Sequence, residues 1–203
     1  MSPLRPSELE AIFGPDFVAP DWDGSGPWPH PAALPEDELL RQCRFGQGRS
    51  GGPGGQHRNK VETKVVATHT PTGIAAQAGE RREMTENRRV AIFRLRLALA
   101  ARHRVPTPAG QLGSELWRSR LETKRTKDGK KRTRIAVNPA HRDFPAMLAE
   151  AMDVLAASGW QPRTAALRLG VTATQLLKLV KDHPEALAVV NAEREKLGRG
   201  RLK

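Results

Sequence analysis

The sequence predicts an α+β fold: a short β-sheet with one long helix, followed by a C-terminal helical module. Three observations predict it. Residues 60–70 alternate apolar and polar side chains, with Val61, Thr63, Val65 and Ala67 on one face, the period of a half-buried strand. Residues 82–104 switch to helical spacing, with Val90, Phe93, Leu97 and Ala101 on one stripe. Beyond residue 144, apolar residues recur at helical intervals in four segments separated by Gly and Pro.

The elements follow in order. Gly14 to Pro35 is proline-rich and poor in aliphatic residues, so it is expected to stay extended or disordered. Glu36 to Phe45 reads either as a short strand or as a helical turn leading into one. A glycine-rich loop runs from Gly46 to Gln56. After the 60–70 strand, Pro71-Thr72-Gly73 supplies turn chemistry, because Pro presets φ and Gly accepts positive φ. Ile74 to Gln77 is then the returning strand of a hairpin. Pro106 and Pro108 end the long helix. Ser114 to Leu121 is read as helical. The basic run Lys124 to Arg134, centred on Gly129, is either a strand-like hairpin or a disordered arm. Pro145 to Ala157 is an amphipathic helix with Met147, Leu148, Ala151, Met152 and Leu155 clustered, stopped by Gly159. Three shorter helices are expected near 162–169, 173–181 and 184–197. The implied organisation is 1–33, a Pro-rich acidic segment; 34–105, the sheet-and-helix domain; 106–143, a linker with a basic arm; and 144–203, the helical module.

Composition narrows the function. The net charge is +12, yet residues 1–40 hold one basic side chain, Arg5, against eight acidic ones. The remainder is therefore strongly cationic, which favours a polyanionic partner. No run of about 18 apolar residues occurs, so no membrane span is expected, and the N-terminus lacks the pattern of a secretory signal. The single cysteine, Cys43, cannot form an internal disulfide, which fits a reducing, cytoplasmic setting. Cys43 is expected in the core rather than in catalysis. Six scattered histidines and one cysteine give no metal-ligand cluster, and no organic cofactor is implied. Trp22 and Trp28 are expected to anchor the Pro-rich segment, Trp117 and Trp160 to pack in the helical module.

The segment Arg49-Ser50-Gly51-Gly52-Pro53-Gly54-Gly55-Gln56-His57-Arg58-Asn59-Lys60 carries the chemistry. Gly54 and Gly55 let the backbone come close to a ligand, and a glycine-rich turn can aim N–H groups at a developing oxyanion. Gln56 is neutral: it can orient water but cannot serve as a general base. Arg49, Arg58 and Lys60 flank it as phosphate-holding groups. Such a site positions an already activated ester.

The order Arg-Ser-x-Gly-Pro-Gly-Gly-Gln-His-x-Asn-Lys over 49–60, then His69-x-Pro71-Thr72-Gly73-Ile74, then Glu80-x-Arg82 and Asn87, resembles class I peptide chain release factors over roughly Leu34 to Arg104. The resemblance implies a GGQ domain that enters the peptidyl transferase centre. It implies Gln56, Gly55 and Gly54 as catalytic residues, with the Gln56 backbone N–H stabilising the transition state or the departing tRNA 3′-oxygen. It implies Arg49, Ser50, His57, Arg58, Asn59, Lys60 and Arg82 as RNA contacts. The partners implied are the ribosome, through 23S-type rRNA, and peptidyl-tRNA. Family members often carry a methylated glutamine at this position. Departures are Arg58, where the family has a small apolar residue, and Glu83-Met84, where it has Ser-Gln. The chain before Leu34 has no room for the stop-codon-reading and helical domains of full release factors, so it looks like the short, codon-independent relatives that rescue stalled ribosomes. Those relatives use a basic tail. Lys124, Arg125, Lys127, Lys130, Lys131, Arg132 and Arg134 resemble it and are expected to contact RNA, small-subunit rRNA included. Residues 163–181 resemble a helix-turn-helix, with Ala166 beneath the Gly170 turn, Val171, Leu176 and Leu179 in the core, and Gln175, Lys178 and Lys181 outward. A second reading is therefore a non-catalytic nucleic-acid-binding protein: a helix-turn-helix regulator, or an RNA-binding factor whose loop no longer catalyses.

Overall fold

The computed structural model describes residues 30–48, 63–107, 110, 113–125, 129 and 131–203. The fold is α+β. A 3-10 turn, Pro31–Ala33, and helix α1, Glu36–Arg41, lead into strand β1, Cys43–Gly48. Strands β2, Lys64–His69, and β3, Ala75–Ala78, complete an antiparallel sheet of order β1-β2-β3. Helix α2, Met84–Arg102, packs on that sheet. A short α3, Glu115–Ser119, precedes a second, two-stranded sheet formed by β4, Leu121–Arg125, and β5, Lys131–Ile135. Four helices close the chain: α4, Phe144–Ala157; α5, Pro162–Arg168; α6, Ala173–Lys181; and α7, Pro184–Lys196.

The 36–45 ambiguity resolves into both options in succession, α1 and then β1. The basic run is a hairpin rather than an arm. Residues 30–33, expected to be extended with the rest of the N-terminal segment, instead form an ordered turn. His30 Nδ1 accepts from the Ala32 amide at 3.0 Å, and Arg96 donates to the carbonyls of Ala32 and Leu34, both at 2.8 Å. Trp22 and Trp28 lie outside the described residues.

The long helix departs from its expected stripe. Of Val90, Phe93, Leu97 and Ala101, only Ala101 is buried; Ala91, Ile92, Leu95, Ala98, Leu99 and Ala100 join it inside. The physical reason is that α2 is covered on two sides, by the sheet and by α4. A one-sided stripe assumes one neighbour. Helix α4 departs the same way: read as amphipathic, it is buried along nearly its whole circumference, from Phe144 to Leu155. It touches α2, the 3-10 turn, α5 and α6, and one continuous apolar core runs through both halves of the molecule. Trp117 is fully buried, and its indole N–H donates to the Leu169 carbonyl at 3.0 Å, tying α3 to the end of α5. Trp160 packs at the end of α4 with φ of 59°, its carbonyl capped by Arg194 at 2.7 Å.

A polar seam crosses this core where α2 ends. His30 Nε2 donates to the His103 carbonyl at 3.2 Å, and the two rings sit 5.4 Å apart. Arg104 lies 3.2 Å from Asp153, which also accepts from the Val105 amide. Burial, only partly offset by the Arg104 cation, pushes the Asp153 carboxyl up to about 7. Burial lowers His30 to about 3, so it is neutral in the folded protein. The two act in opposite directions. Asp153 favours the folded state in acid and loses that contribution as pH rises through about 7. Neutral His30 contributes fully above about pH 6.5, the ordinary histidine value, and loses its contribution as pH falls toward 3. His30→Asn keeps a cap acceptor but cannot titrate. Its melting temperature is expected to fall less steeply than wild type between about pH 6 and 4, measured by thermal unfolding across that range.

Candidate functional site: the platform of the 49–63 loop

Strands β1 and β2 are antiparallel, and their last pair is Gly48 with Lys64. The chain therefore leaves the sheet at Gly48 and re-enters it beside the point of departure. The residues between hold Gly54, Gly55 and Gln56, with Arg49, Ser50, His57, Arg58, Asn59 and Lys60; all of these lie outside the described residues. Gln56 stands eight peptide steps from each anchor, so its Cα can lie at most about 29 Å from the sheet.

The described residues show how the anchors are held. Asn87, in the first turns of α2, is fully buried. Its Nδ2 donates to the Thr63 carbonyl at 2.7 Å and to the Arg81 carbonyl at 2.9 Å, and its Oδ1 accepts from the Arg81 amide at 2.9 Å. One side chain thus fastens the returning end of the loop to the bend before α2. Beside it, a Cβ on Gly79 would approach the Lys64 side chain to 3.2 Å, so a larger residue would have to push β2 and the end of β3 apart by a few tenths of an ångström. Glu80 accepts from the Gly79 amide at 2.8 Å and pairs with Arg94, which also donates to the Gln77 carbonyl at 2.9 Å. The Gly79 amide first, and Arg94 second, hold the Glu80 carboxyl down at about 2.

The opposite end of the sheet is fastened by His69. Its Nε2 donates to Gln42 Oε1 and its Nδ1 accepts from the Thr72 hydroxyl, both at 2.8 Å, while Thr72 accepts from the Ile74 amide at 3.3 Å. Gly73 takes φ of 69° to complete the turn. Burial, and then the field of His103, lower the His69 pKa, in keeping with the neutral ring this bonding pattern requires. The residues that flanked the glycine loop in the sequence motif, His69, Thr72, Glu80 and Asn87, are thus the fasteners of its platform.

Arg82 is exposed in the bend just before α2, near the loop base, with Arg81 exposed beside it. Arg88 lies over the Phe45 ring, 4.2 Å from its centroid, an exposed cation on the same platform that the motif did not single out. Cys43 begins β1, half-buried against the core, and burial raises its thiol pKa, the opposite of an activated nucleophile. Among the described residues no group of three or more His, Cys, Asp or Glu is placed to hold a metal, and no helix is long and apolar enough to cross a membrane.

The basic residues of the second half sit on a different sheet. Lys124 and Arg125 are exposed on β4, and Arg134 is exposed on β5 and bonded to Glu122 at 2.7 Å. Lys131 and Arg132 lie on β5 opposite Arg125 and Lys124; Lys127 and Lys130 lie outside the described residues. The helix-turn-helix-like pair is formed by α5 and α6, with Ala166 buried, Gly170 at φ of 67°, and Leu176 and Leu179 in the core. Lys178 and Lys181 are exposed as expected, but Gln175 is not outward. Its side-chain amide is spent on β5: Oε1 accepts from the Ile135 amide at 3.2 Å, and Nε2 donates to the Thr133 carbonyl.

The RF-1 domain matches residues 40–142, just over half of the chain, and the chain belongs to that family. The matched span takes in the loop, the first sheet, α2 and the β4–β5 hairpin, reaching well past the Arg104 limit set by the motifs. The mouse mitochondrial translation release factor in rescue is 35% identical over 88 residues, 43% of this chain and 47% of that protein. Peptide chain release factor 1 of Dictyoglomus turgidum is 42% identical over 74 residues, 34% of this chain and 20% of that protein. A mitochondrial peptide chain release factor-like protein of Saccharomyces cerevisiae is 41% identical over 73 residues, 36% of this chain and 46% of that protein. The chain spans less than half the length of each of these relatives.

Asn87→Ala would leave the Thr63 and Arg81 backbone groups without their buried partner. Unfolding free energy is expected to drop by about 2–3 kcal/mol in urea titrations, and amide exchange to quicken first at residues 63–66 and 81.

Proposed function

We propose that the protein hydrolyses the ester of peptidyl-tRNA on the ribosome without reading a stop codon, and so releases peptides from stalled complexes. The observation that carries this reading is the platform. In a chain of the release-factor family, the segment bearing Gly54-Gly55-Gln56 springs from a strand pair fastened at its base by Asn87 and Gly79. A rigid base is what a projecting loop needs if its tip is to be placed to within an ångström or so.

In this mechanism water attacks the ester carbonyl carbon, a tetrahedral oxyanion forms, and the bond to the tRNA 3′-oxygen breaks. The Gln56 backbone N–H donates to the departing 3′-oxygen or to the oxyanion. Gly54 and Gly55 let the backbone approach closely, and the Gln56 side chain shapes the space so that water, not a larger nucleophile, attacks. Ribosomal RNA supplies the remainder of the site, and neither metal nor organic cofactor takes part. Arg49, Ser50, His57, Arg58, Asn59, Lys60 and Arg82 hold rRNA near the loop, and Lys124 to Arg134 hold RNA at the second sheet. Functionally, residues 34–105 present the loop, 106–143 carry the basic hairpin and 144–203 support both. The mouse relative is named as a release factor in rescue, which supports codon-independence here. The setting is a ribosome-containing compartment, the cytoplasm.

Peptide release from ribosomes lacking an A-site codon tests the reading. Gly55→Ala, which disturbs the backbone that aims the N–H, is expected to lower the release rate by about 100-fold or more, and Gln56→Ala, which keeps the N–H, to let a larger nucleophile such as hydroxylamine compete with water, both melting as wild type does. Full activity in Gly55→Ala would overturn the proposal. Running the same assay on whole stalled ribosomes and on split large subunits assigns the preferred particle.

A further inference from the structure

The β4–β5 hairpin has an unusual charge distribution along its length. Its register pairs Leu121 with Ile135, Glu122 with Arg134, Thr123 with Thr133, Lys124 with Arg132, and Arg125 with Lys131. Successive pairs lie on opposite faces. Near the base the pairs are complementary: Leu121 and Ile135 pack against the core, Glu122 accepts from Arg134, and the Thr123 and Thr133 hydroxyls bond at 3.0 Å. The last two pairs set like charge against like charge, one pair on each face. Directly opposed like charges destabilise a strand pair. The ribbon also extends about 13 Å beyond its Leu121–Ile135 base, and Glu122 to Arg125 are all exposed.

A cationic patch that meets a flat polyanion needs charge on one face. Here the exposed Lys124 and Arg125 are successive residues of β4 and so stand on opposite faces, and the register sets a further basic residue across from each. The ribbon is also held at a fixed pitch. The Gln175 side-chain amide bonds the Thr133 carbonyl and the Ile135 amide, groups two residues apart on one strand edge, much as a neighbouring strand would.

We propose that the β4–β5 ribbon inserts between two phosphate backbones of folded RNA, with Gln175 as the positioning residue that sets its angle against α6. The proposal deepens the RNA contact assigned to this hairpin under the ribosomal reading and rests on that reading for its biological setting. The regular deep groove of an A-form duplex is too narrow for a ribbon, but one opened by a bulge, or a cleft between two helices, has the required two walls of phosphate.

The test uses the full chain, a fluorescently labelled 20-base-pair RNA duplex whose deep groove is widened by a central bulge, and one of its strands alone, titrated over a salt series. Wild type is expected to prefer the duplex. Lys124→Gln with Arg132→Gln, and separately Arg125→Gln with Lys131→Gln, are each expected to reduce the slope of log affinity against log salt by about two and to erase that preference. In the absence of RNA both double variants are expected to protect the β4–β5 amides better against hydrogen exchange, since each removes a like-charge pair. Gln175→Leu is expected to weaken duplex binding about fivefold with its salt slope unchanged, and to quicken exchange at Ile135. Three results would overturn the proposal: loss confined to one face, single strand bound as tightly as duplex, or equal binding to phosphatidylserine vesicles. Unchanged binding in Gln175→Leu would remove the positioning role. Peptide release by wild type is scored independently, so the ribbon proposal can fail while the hydrolase reading stands, and the reverse.

Discussion

The arrangement of the half that carries the glycine segment depends on one buried side chain. Asn87 has two amide hydrogens and a carbonyl oxygen to satisfy, and it satisfies them with backbone groups from two segments, Thr63 and Arg81. Thr63 lies just before β2 and Arg81 in the bend before α2, both outside the described strand pairs. The Asn87 amide gives each a partner. It joins the two segments into one corner at the base of the sheet. The remaining fasteners work outward from it. Gly79 lets β3 close on Lys64, the Glu80–Arg94 pair clips the bend to α2, and His69 fixes the far turn.

Much of this was legible in the sequence where the signal is local. The β2 alternation, the Pro71-Thr72-Gly73 turn, the extent of the long helix and the three short C-terminal helices appear close to where their residues place them. What the sequence could not convey was how many neighbours an element has. Val90, Phe93 and Leu97 look like a buried stripe if α2 has one partner, yet α2 is clasped by the sheet and α4, and its alanines are what allow that close fit. Helix α4 follows the same rule: its apolar cluster is buried as its spacing predicts, and Glu150 and Asp153 are buried too because Ser114, Val105 and Arg104 meet them.

The candidate site shows the same division. The glycine motif is readable as chemistry because φ freedom and a neutral amide belong to residue types. The motif residues outside the loop gave no hint of role: Asn87 and His69 are separated from their partners in sequence, and only the fold brings them to the loop base and the distal turn. Gln175 was read as a surface residue on helical spacing alone. Its partner is a strand edge some 40 positions upstream, which no periodicity reveals.

A continuous core has a mechanical consequence. Because α4 packs on both α2 and α6, one apolar core joins the platform of the glycine segment to the ribbon held by α6. Under the proposed function the two contacts would then stand, like the jaws of a calliper, at a span fixed by packing. A particle whose two receiving sites stood at another spacing would engage one jaw at a time.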